Sequence, residues 1–206
     1  MPMWKYIDNI LVRGWLEIEL RGEDKELIYK HRQPVKSFVA NWTKALYGLM
    51  YDDCRSKAVT LRDTGGTDRA YPNLSDYYRP IFKVTAPAGN TEYGILFGYG
   101  TASKTINDYF LGALITHGTG ANQLDYADTG ITWEIADDRG ILYISRTASN
   151  YGSDDVTITE VGLAFYEADV DYYDLYFLIL ADLLDTSVVV SPSLSITARY
   201  KFEFLF

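Results

Sequence analysis

Three glutamates in strand-like stretches, Glu134, Glu160 and Glu203, are the side chains whose type could do acid–base chemistry. Glycoside hydrolysis needs two carboxylates facing each other across a cleft. Each of the three lies in a run that alternates apolar with polar residues, and a solvent-facing strand position accounts for each. Gly98-Tyr-Gly-Thr-Ala-Ser103 opens like a phosphate-cradling loop but lacks the third glycine and the helix that should follow. Glycines at a strand end, making a tight turn, are the simpler reading. The acidic groups Asp52-Asp53, Asp137-Asp138, Asp154-Asp155 and Asp169-Val-Asp171 lack the Asp-x-Asp-x-Asp-Gly spacing of a calcium loop and read as solvated turns. Glu167–Asp174 is the stretch with the most carboxylate ligands for calcium.

Nucleophilic chemistry is equally thin. Cys54 is the one cysteine, which excludes an intrachain disulfide, and a reactive thiolate would need His31 or His117 beside it. There is no Gly-x-Ser-x-Gly, and His117, between Thr116 and Gly118, reads as a loop residue. Zinc ligands are too few and too far apart. The sequence predicts no enzyme, no cofactor and no metal site.

The elements that would position any site are mostly strands. In Ser193–Phe206 the apolar residues Leu194, Ile196, Ala198, Tyr200, Phe202, Phe204 and Phe206 fall on every second position. A period of two puts one set on each face of a strand. Trp15–Leu20 alternates in the same way, and Leu27–Arg32 returns beyond a polar turn as a hairpin. Val35, Phe38, Val39, Trp42, Leu46, Leu49 and Met50 recur at helical steps, predicting one amphipathic helix over about residues 34–52 with Pro34 at its start. Residues 54–80 carry two prolines and a Gly-Gly turn and predict a long surface loop, with a short strand near Ala58–Leu61. Further strands are expected at Ile81–Thr85, Tyr93–Gly98, Thr132–Ala136, Ile141–Arg146, Val156–Tyr166, Leu175–Leu180 and Leu194–Phe206. Asp137–Gly140 is expected to be a hairpin turn with its glycine at positive φ, and Leu175–Ala181 is apolar on both faces, as a central strand covered on both sides or one covered by a neighbouring subunit would be. The whole, residues 1–206, predicts a single mainly-β domain: an antiparallel β-sandwich, of which a jelly roll is one form, with an N-terminal hairpin plus helix over about 15–52.

Bulk properties narrow the function classes. The formal net charge is −9, with 19 basic against 28 acidic residues, so a phosphate-binding surface of clustered Lys and Arg is disfavoured. No apolar run reaches the roughly 18 residues of a membrane-spanning helix, and the N-terminus lacks the pattern of a signal peptide. Eighteen tyrosines suit strands and contact surfaces alike.

The order of segments carries a resemblance. Phe38–Met50 comes first, then Ile95–Leu111, Ile141–Thr147, Val156–Phe165 and Phe177–Leu183, with the alternating strand last. Thr159-Glu-Val-Gly-Leu163 followed by Leu180-Ala-Asp-Leu183 is its most specific part. In this the chain resembles small structural proteins of tailed bacteriophages and related viruses. It departs from them at Asp182, where an arginine–aspartate pair is expected, and at Ser193, where a turn glycine is usual. The resemblance implies a virion component, a capsid decoration, capsid-associated or tail-tip protein, made in the host cytoplasm. Its partners would be further copies of itself, as a trimer or ring, and major capsid or tail proteins, with no direct nucleic acid and no membrane. Clustered tyrosines beside turn residues, Tyr71, Tyr77, Tyr78, Tyr172 and Tyr173, are the expected contact residues. The alternative is a carbohydrate-binding, lectin-like or tail-tip module that stacks sugar rings on exposed aromatics.

Overall fold

The alternating C-terminal run forms β11 (Ser195–Leu205), and it lies in the middle of a sheet. The computed structural model describes residues 11–50, 59–71, 82–136, 138–168 and 174–205. Around β11 stand β1 (Leu11–Arg21), β2 (Leu27–Pro34), β6 (Thr116–His117), β7 (Gln123–Ala136) and β8 (Arg139–Ser149), in the order β2-β1-β11-β8-β7-β6. All neighbours pair antiparallel except the two-residue β6 against β7. Facing this sheet is a smaller one, β10 (Asp174–Val190), β9 (Val156–Ala168) and β5 (Gly94–Gly98), in that order. Leu16, Ile18, Ile144, Ala198 and Tyr200 from the large sheet and Ile95, Phe97, Leu163, Phe165 and Phe177 from the small one share one apolar core. The chain is therefore mainly β and sandwich-like, with one short helix.

That helix, α1 (Ala40–Met50), is shorter than the periodicity predicts. Pro34 ends β2 opposite Trp15, and Val35–Val39 is not helical. Tertiary pairing accounts for the difference. Val39 N–H donates to the Ile179 carbonyl at 3.2 Å, and Ala181 N–H to Ser37 at 3.1 Å, so this segment lies along the free edge of β10. Asp182 Oδ1 accepts Lys36 N–H at 2.9 Å and Ser37 N–H at 3.2 Å, holding the segment extended. Val39 and Ala45 are buried and Trp42 packs on the core, whereas Leu46 and Tyr47 are exposed. The predicted residues 51 and 52 lie outside the described residues.

The long loop also contains more structure than expected. β3 (Val59–Arg62) and β4 (Asp68–Tyr71) form a hairpin, and Leu61 plugs the core. Asp63 closes the turn, its Oδ1 accepting Thr67 N–H at 2.7 Å and its Oδ2 accepting Arg69 Nε–H at 2.8 Å. Of the expected strand Ile81–Thr85, the described residues Phe82–Thr85 form a bridge, Lys83 to Tyr166, and no strand. Ala136 already pairs with Arg139, and Gly140 lies inside β8 opposite Ile135 and Phe204, not in the turn. Positive φ falls instead on Gly66, Gly89, Gly94 and Gly118, and on Ser193 at 68°, the position noted for its missing glycine. β10 is covered on both faces as expected, yet it is the end strand of its sheet: Phe177 and Ile179 face the shared core, and Leu178 and Ala181 join Val39, Leu96 and Leu111 on the outer side.

Candidate functional site

Glu160 is wholly buried, not solvent-facing as its place in an alternating strand predicts. Its Oε1 accepts N–H bonds from Gly100 at 3.0 Å and Ala113 at 2.9 Å. Oε2 takes one from Gly112 at 3.2 Å and pairs with the Lys104 ammonium, itself only 6% exposed. Thr159 Oγ–H adds a bond to the Gly100 carbonyl at 2.7 Å. The glycine loop therefore does cradle an anion, and the anion is the protein's own carboxylate. A Cβ at Gly98 or Gly100 would come within 2.5 Å of Glu160 Oε1. Close approach is what these glycines serve. The clasp fixes the loop Tyr99–Leu114 against β9.

Arg146 fixes a second loop. It is buried at an inward position of β8, between Ile144 and Ala148. Nε–H donates to Ala127 O at 2.8 Å, Nη1 to Tyr93 O at 3.4 Å and Ile95 O at 3.0 Å, and Nη2 to Pro87 O at 3.1 Å and Asn90 O at 2.7 Å. All five guanidinium donors are thereby used. Burial lowers the basicity of Arg146, opposed mainly by Tyr126, whose ring lies 4.7 Å from the guanidinium. The loop 87–93 is thus tied down to the sandwich.

Between these two loops, on the outer face of the small sheet, lies a cleft of about 280 Å³. Leu96 of β5 and Leu178 of β10 belong to its lining, with Phe110, Leu111 and Leu114 from the clasped loop, Tyr176 of β10, and the polar groups Thr64, Thr91 and Glu92. Burial, and next the hydrogen bond to Glu92, push the Tyr176 phenol up. Tyr93, Tyr166 and Tyr176 cluster with centroids 5.5–5.9 Å apart, Tyr93 stacked on Tyr176 and both tilted against Tyr166. A second, polar hollow of about 180 Å³ adjoins it, lined by Asn41, Lys44, Arg62, Asp68 and Asp108 among others. Tyr109 lines this hollow and contacts Phe110 of the cleft, with the Arg62 guanidinium 4.9 Å from its ring. Asn41 holds this corner: its Nδ2 donates to Arg62 O at 2.9 Å and Leu178 O at 3.0 Å, and its Oδ1 accepts Arg62 N–H at 3.1 Å.

A different surface lies on the inner face of the large sheet. Cross-strand rows run Leu16–Tyr200–Ile144–Ile131, then Gly14–Phe202–Leu142–Trp133, then Val12–Phe204–Gly140–Ile135. Residues directly opposite share a face, so all of these belong to the face that makes the core. Yet cover fades along the rows: Phe202 is buried under Trp42 and Phe38, while Trp133 is 72% exposed and Ile135 74%. The large sheet runs past the layer that covers it. Val12, Ile131, Trp133, Ile135 and Phe204 leave on the order of 500 Å² of apolar surface open, given roughly 150–250 Å² for a large side chain. That matches the largest patches of monomeric proteins, which are often functional.

One buried acid remains. Glu167, on β9, takes a backbone hydrogen bond from Phe82, while its Oε2 has no partner among the described residues. Burial pushes its carboxyl up to about 7. At pH below about 4.5 the group is protonated in both folded and unfolded chain. From there to pH 7 the unfolded chain releases the proton that the folded chain keeps, so stability falls with rising pH, by about 3 kcal/mol once pH exceeds 7. Glu167→Gln should remove this slope: relative to wild type it should gain about 3 kcal/mol between pH 5 and pH 8 in urea unfolding. Parallel curves for the two proteins would refute the assignment.

Of the sequence-predicted contact tyrosines, Tyr71 ends β4 opposite Val59; Tyr77, Tyr78, Tyr172 and Tyr173 lie outside the described residues, as does Cys54. Glu134 and Glu203 flank Ile141 across the large sheet, with Glu134 accepting the Tyr143 hydroxyl and Glu203 paired to Lys201. Glu160 belongs to the other sheet, so the three do not face one another. His117 forms part of β6, and its Nδ1 accepts Tyr126 N–H at 3.3 Å. Around the expected calcium stretch, Asp174 is exposed and accepts the Tyr166 hydroxyl, and residues 169–173 lie outside the described residues.

No protein-family model, no curated protein and no solved structure matches the chain. What the fold and these surfaces define is a sandwich-like β protein with a clasped cleft on one layer and an open apolar edge on the other.

Proposed function

We propose that this chain is a structural component of a virus particle, a capsid decoration or capsid-associated protein that works by docking to copies of itself and to major capsid or tail proteins. The observation that supports this reading best is the uncovered core face of the large sheet: Trp133 and Ile135 continue the apolar rows of the interior and need a partner surface. The two buried clasps at Glu160 and Arg146 suit a protein whose task is to hold shape. The most specific part of the phage resemblance, Thr159–Leu163, contains one of them. The test is co-sedimentation: in particles purified from the source by density gradient, an antibody to this chain should detect it in the particle band. Detection in the soluble fraction alone would refute the reading.

The cleft favours a second reading, a carbohydrate-binding module. Phe110 and Tyr176 offer ring faces, and Glu92, Thr91 and Thr64 offer acceptors and hydroxyls beside an apolar floor. Such a pairing of few polar groups with apolar walls is usual for ligand sites. A glycan array should then show binding, and Phe110→Ala should weaken it about tenfold, since an aromatic contact contributes up to about 1.5 kcal/mol. A blank array would dispose of this alternative.

A further inference from the structure

We propose that two copies of this chain join edge to edge through β7, about a twofold axis at Trp133, so that the large sheet continues from one copy into the other. The proposal rests on the assembly reading above and names the first partner as a second copy.

β7 has β8 on one side and a largely free edge on the other. β6 covers only Gln123 and Leu124. Gly89 N–H then donates to Tyr126 O at 2.9 Å, and Thr129 N–H donates to Ala86 O at 2.8 Å. Beyond that, from Gly130 to Ala136, no strand pairs with this edge among the described residues. The bond from Thr129 shows which amides point outward. Side chains and amides alternate along a strand, so the N–H and C=O groups of Ile131, Trp133 and Ile135 face the same way as those of Thr129. Among the described residues they form an unpaired row, and the same three residues present their side chains on the open apolar face.

The two ends of the large sheet differ in how they are guarded. Natural edge strands are blunted by lysine, proline and bulges. β2, at the other end, carries Lys30, Arg32 and Pro34. Gly130-Ile-Thr-Trp-Glu-Ile-Ala136 carries one charge and none of these devices. Of the two ends of the large sheet only this one is unguarded, so it is matched by the same edge of a second copy, which makes the contact isologous.

Charge and pairing choose the register. Antiparallel self-pairing about Trp133 puts Ile131 opposite Ile135 of the second copy, and Glu134 opposite Thr132. Every outward amide then meets an outward carbonyl, about six hydrogen bonds in all. An axis at Glu134 would set two carboxylates face to face, which is unfavourable. Only Ile131, Trp133 and Ile135 of the open apolar residues lie on β7; they offer on the order of 400 Å² per copy, about half of the roughly 800 Å² of a standard interface. The dimer should accordingly be of micromolar strength.

Sedimentation equilibrium of the full chain should show a monomer–dimer transition between about 1 and 100 µM. Ile131→Pro should weaken it at least tenfold while leaving circular dichroism and the thermal midpoint unchanged, because the N–H it removes makes no bond in the monomer. In a Cys54→Ser background, Thr132→Cys together with Glu134→Cys should form a disulfide-linked dimer, and neither single cysteine variant should. A wild-type chain that stays monomeric at about 200 µM, an Ile131→Pro chain that dimerises as well as wild type, or a Thr132→Cys chain that cross-links alone would overturn the proposal. These outcomes are independent of whether the chain co-sediments with particles, so the pairing and the virion reading can fail separately.

Discussion

Arg146→Ala should cost about 5 kcal/mol, a third or more of the roughly 5–15 kcal/mol that stabilises a whole domain. The substitution strands five carbonyls, of Pro87, Asn90, Tyr93, Ile95 and Ala127, that now share one guanidinium. Each buried acceptor left without a donor costs roughly 1–3 kcal/mol, softened where water can enter beside the loop. Arg146→Lys keeps a cation but offers three donors from one point, which cannot span five acceptors. It should recover less than half of the loss. Thermal unfolding checks both: a drop of about 10–20 °C for a loss of this size in a chain of this length. An alanine variant within about 1 kcal/mol of wild type would show that the loop 87–93 holds itself without Arg146.

The second large effect lies at Glu160. Glu160→Gln keeps the shape and removes the charge, leaving the Lys104 ammonium buried without its counterion. Breaking a buried pair from one side costs about 3–5 kcal/mol, because the remaining charge stays desolvated. Glu160→Gln combined with Lys104→Met should therefore be more stable than Glu160→Gln alone. A double-mutant cycle in urea measures this coupling. The expected sign is recovery on adding Lys104→Met; equal losses from the single and double variants would mean that the ammonium escapes to water. Since the clasp also holds Tyr99–Leu114, both variants should disturb the cleft wall at Phe110 and Leu111.

Much of the architecture was legible. The alternating runs gave β1, β8, β9 and β11 in the right places, because a strand with one buried face must repeat every second residue, and the continuous apolar run Leu175–Ala181 gave β10. The extra length of β7 and β10 was hidden in polar residues such as Asp125, Asp128 and Asp185, exposed or half-buried positions where no apolar pattern is required. The helix start was misread for the opposite reason. Val35, Phe38 and Val39 fit a helical stripe, but the free edge of β10 offered the same segment backbone partners, and tertiary pairing overrides a short periodic signal.

The two clasps left traces that composition alone does not flag. In β8, Leu142, Ile144, Arg146 and Ala148 share one parity, so an arginine stands at a core position. In β9 the core residues pass from even positions, Val156 and Ile158, to odd ones, Val161, Leu163 and Phe165, and Glu160 sits where the parity changes. Such a change marks an irregularity in the ladder, and β10 shows the matching break in register between Leu183 and Val188.

By itself, then, the order of residues determined that this is a layered β protein, which strand faces are apolar, and that one helix follows an N-terminal hairpin. Those are local consequences of side-chain alternation. Only the tertiary structure decided that Glu160 turns inward to bind a glycine loop, that Arg146 holds five carbonyls, and that the rows ending in Trp133 and Ile135 run beyond their cover. These depend on which strands meet and where one sheet stops against another, relations between residues far apart in the chain that no local pattern encodes.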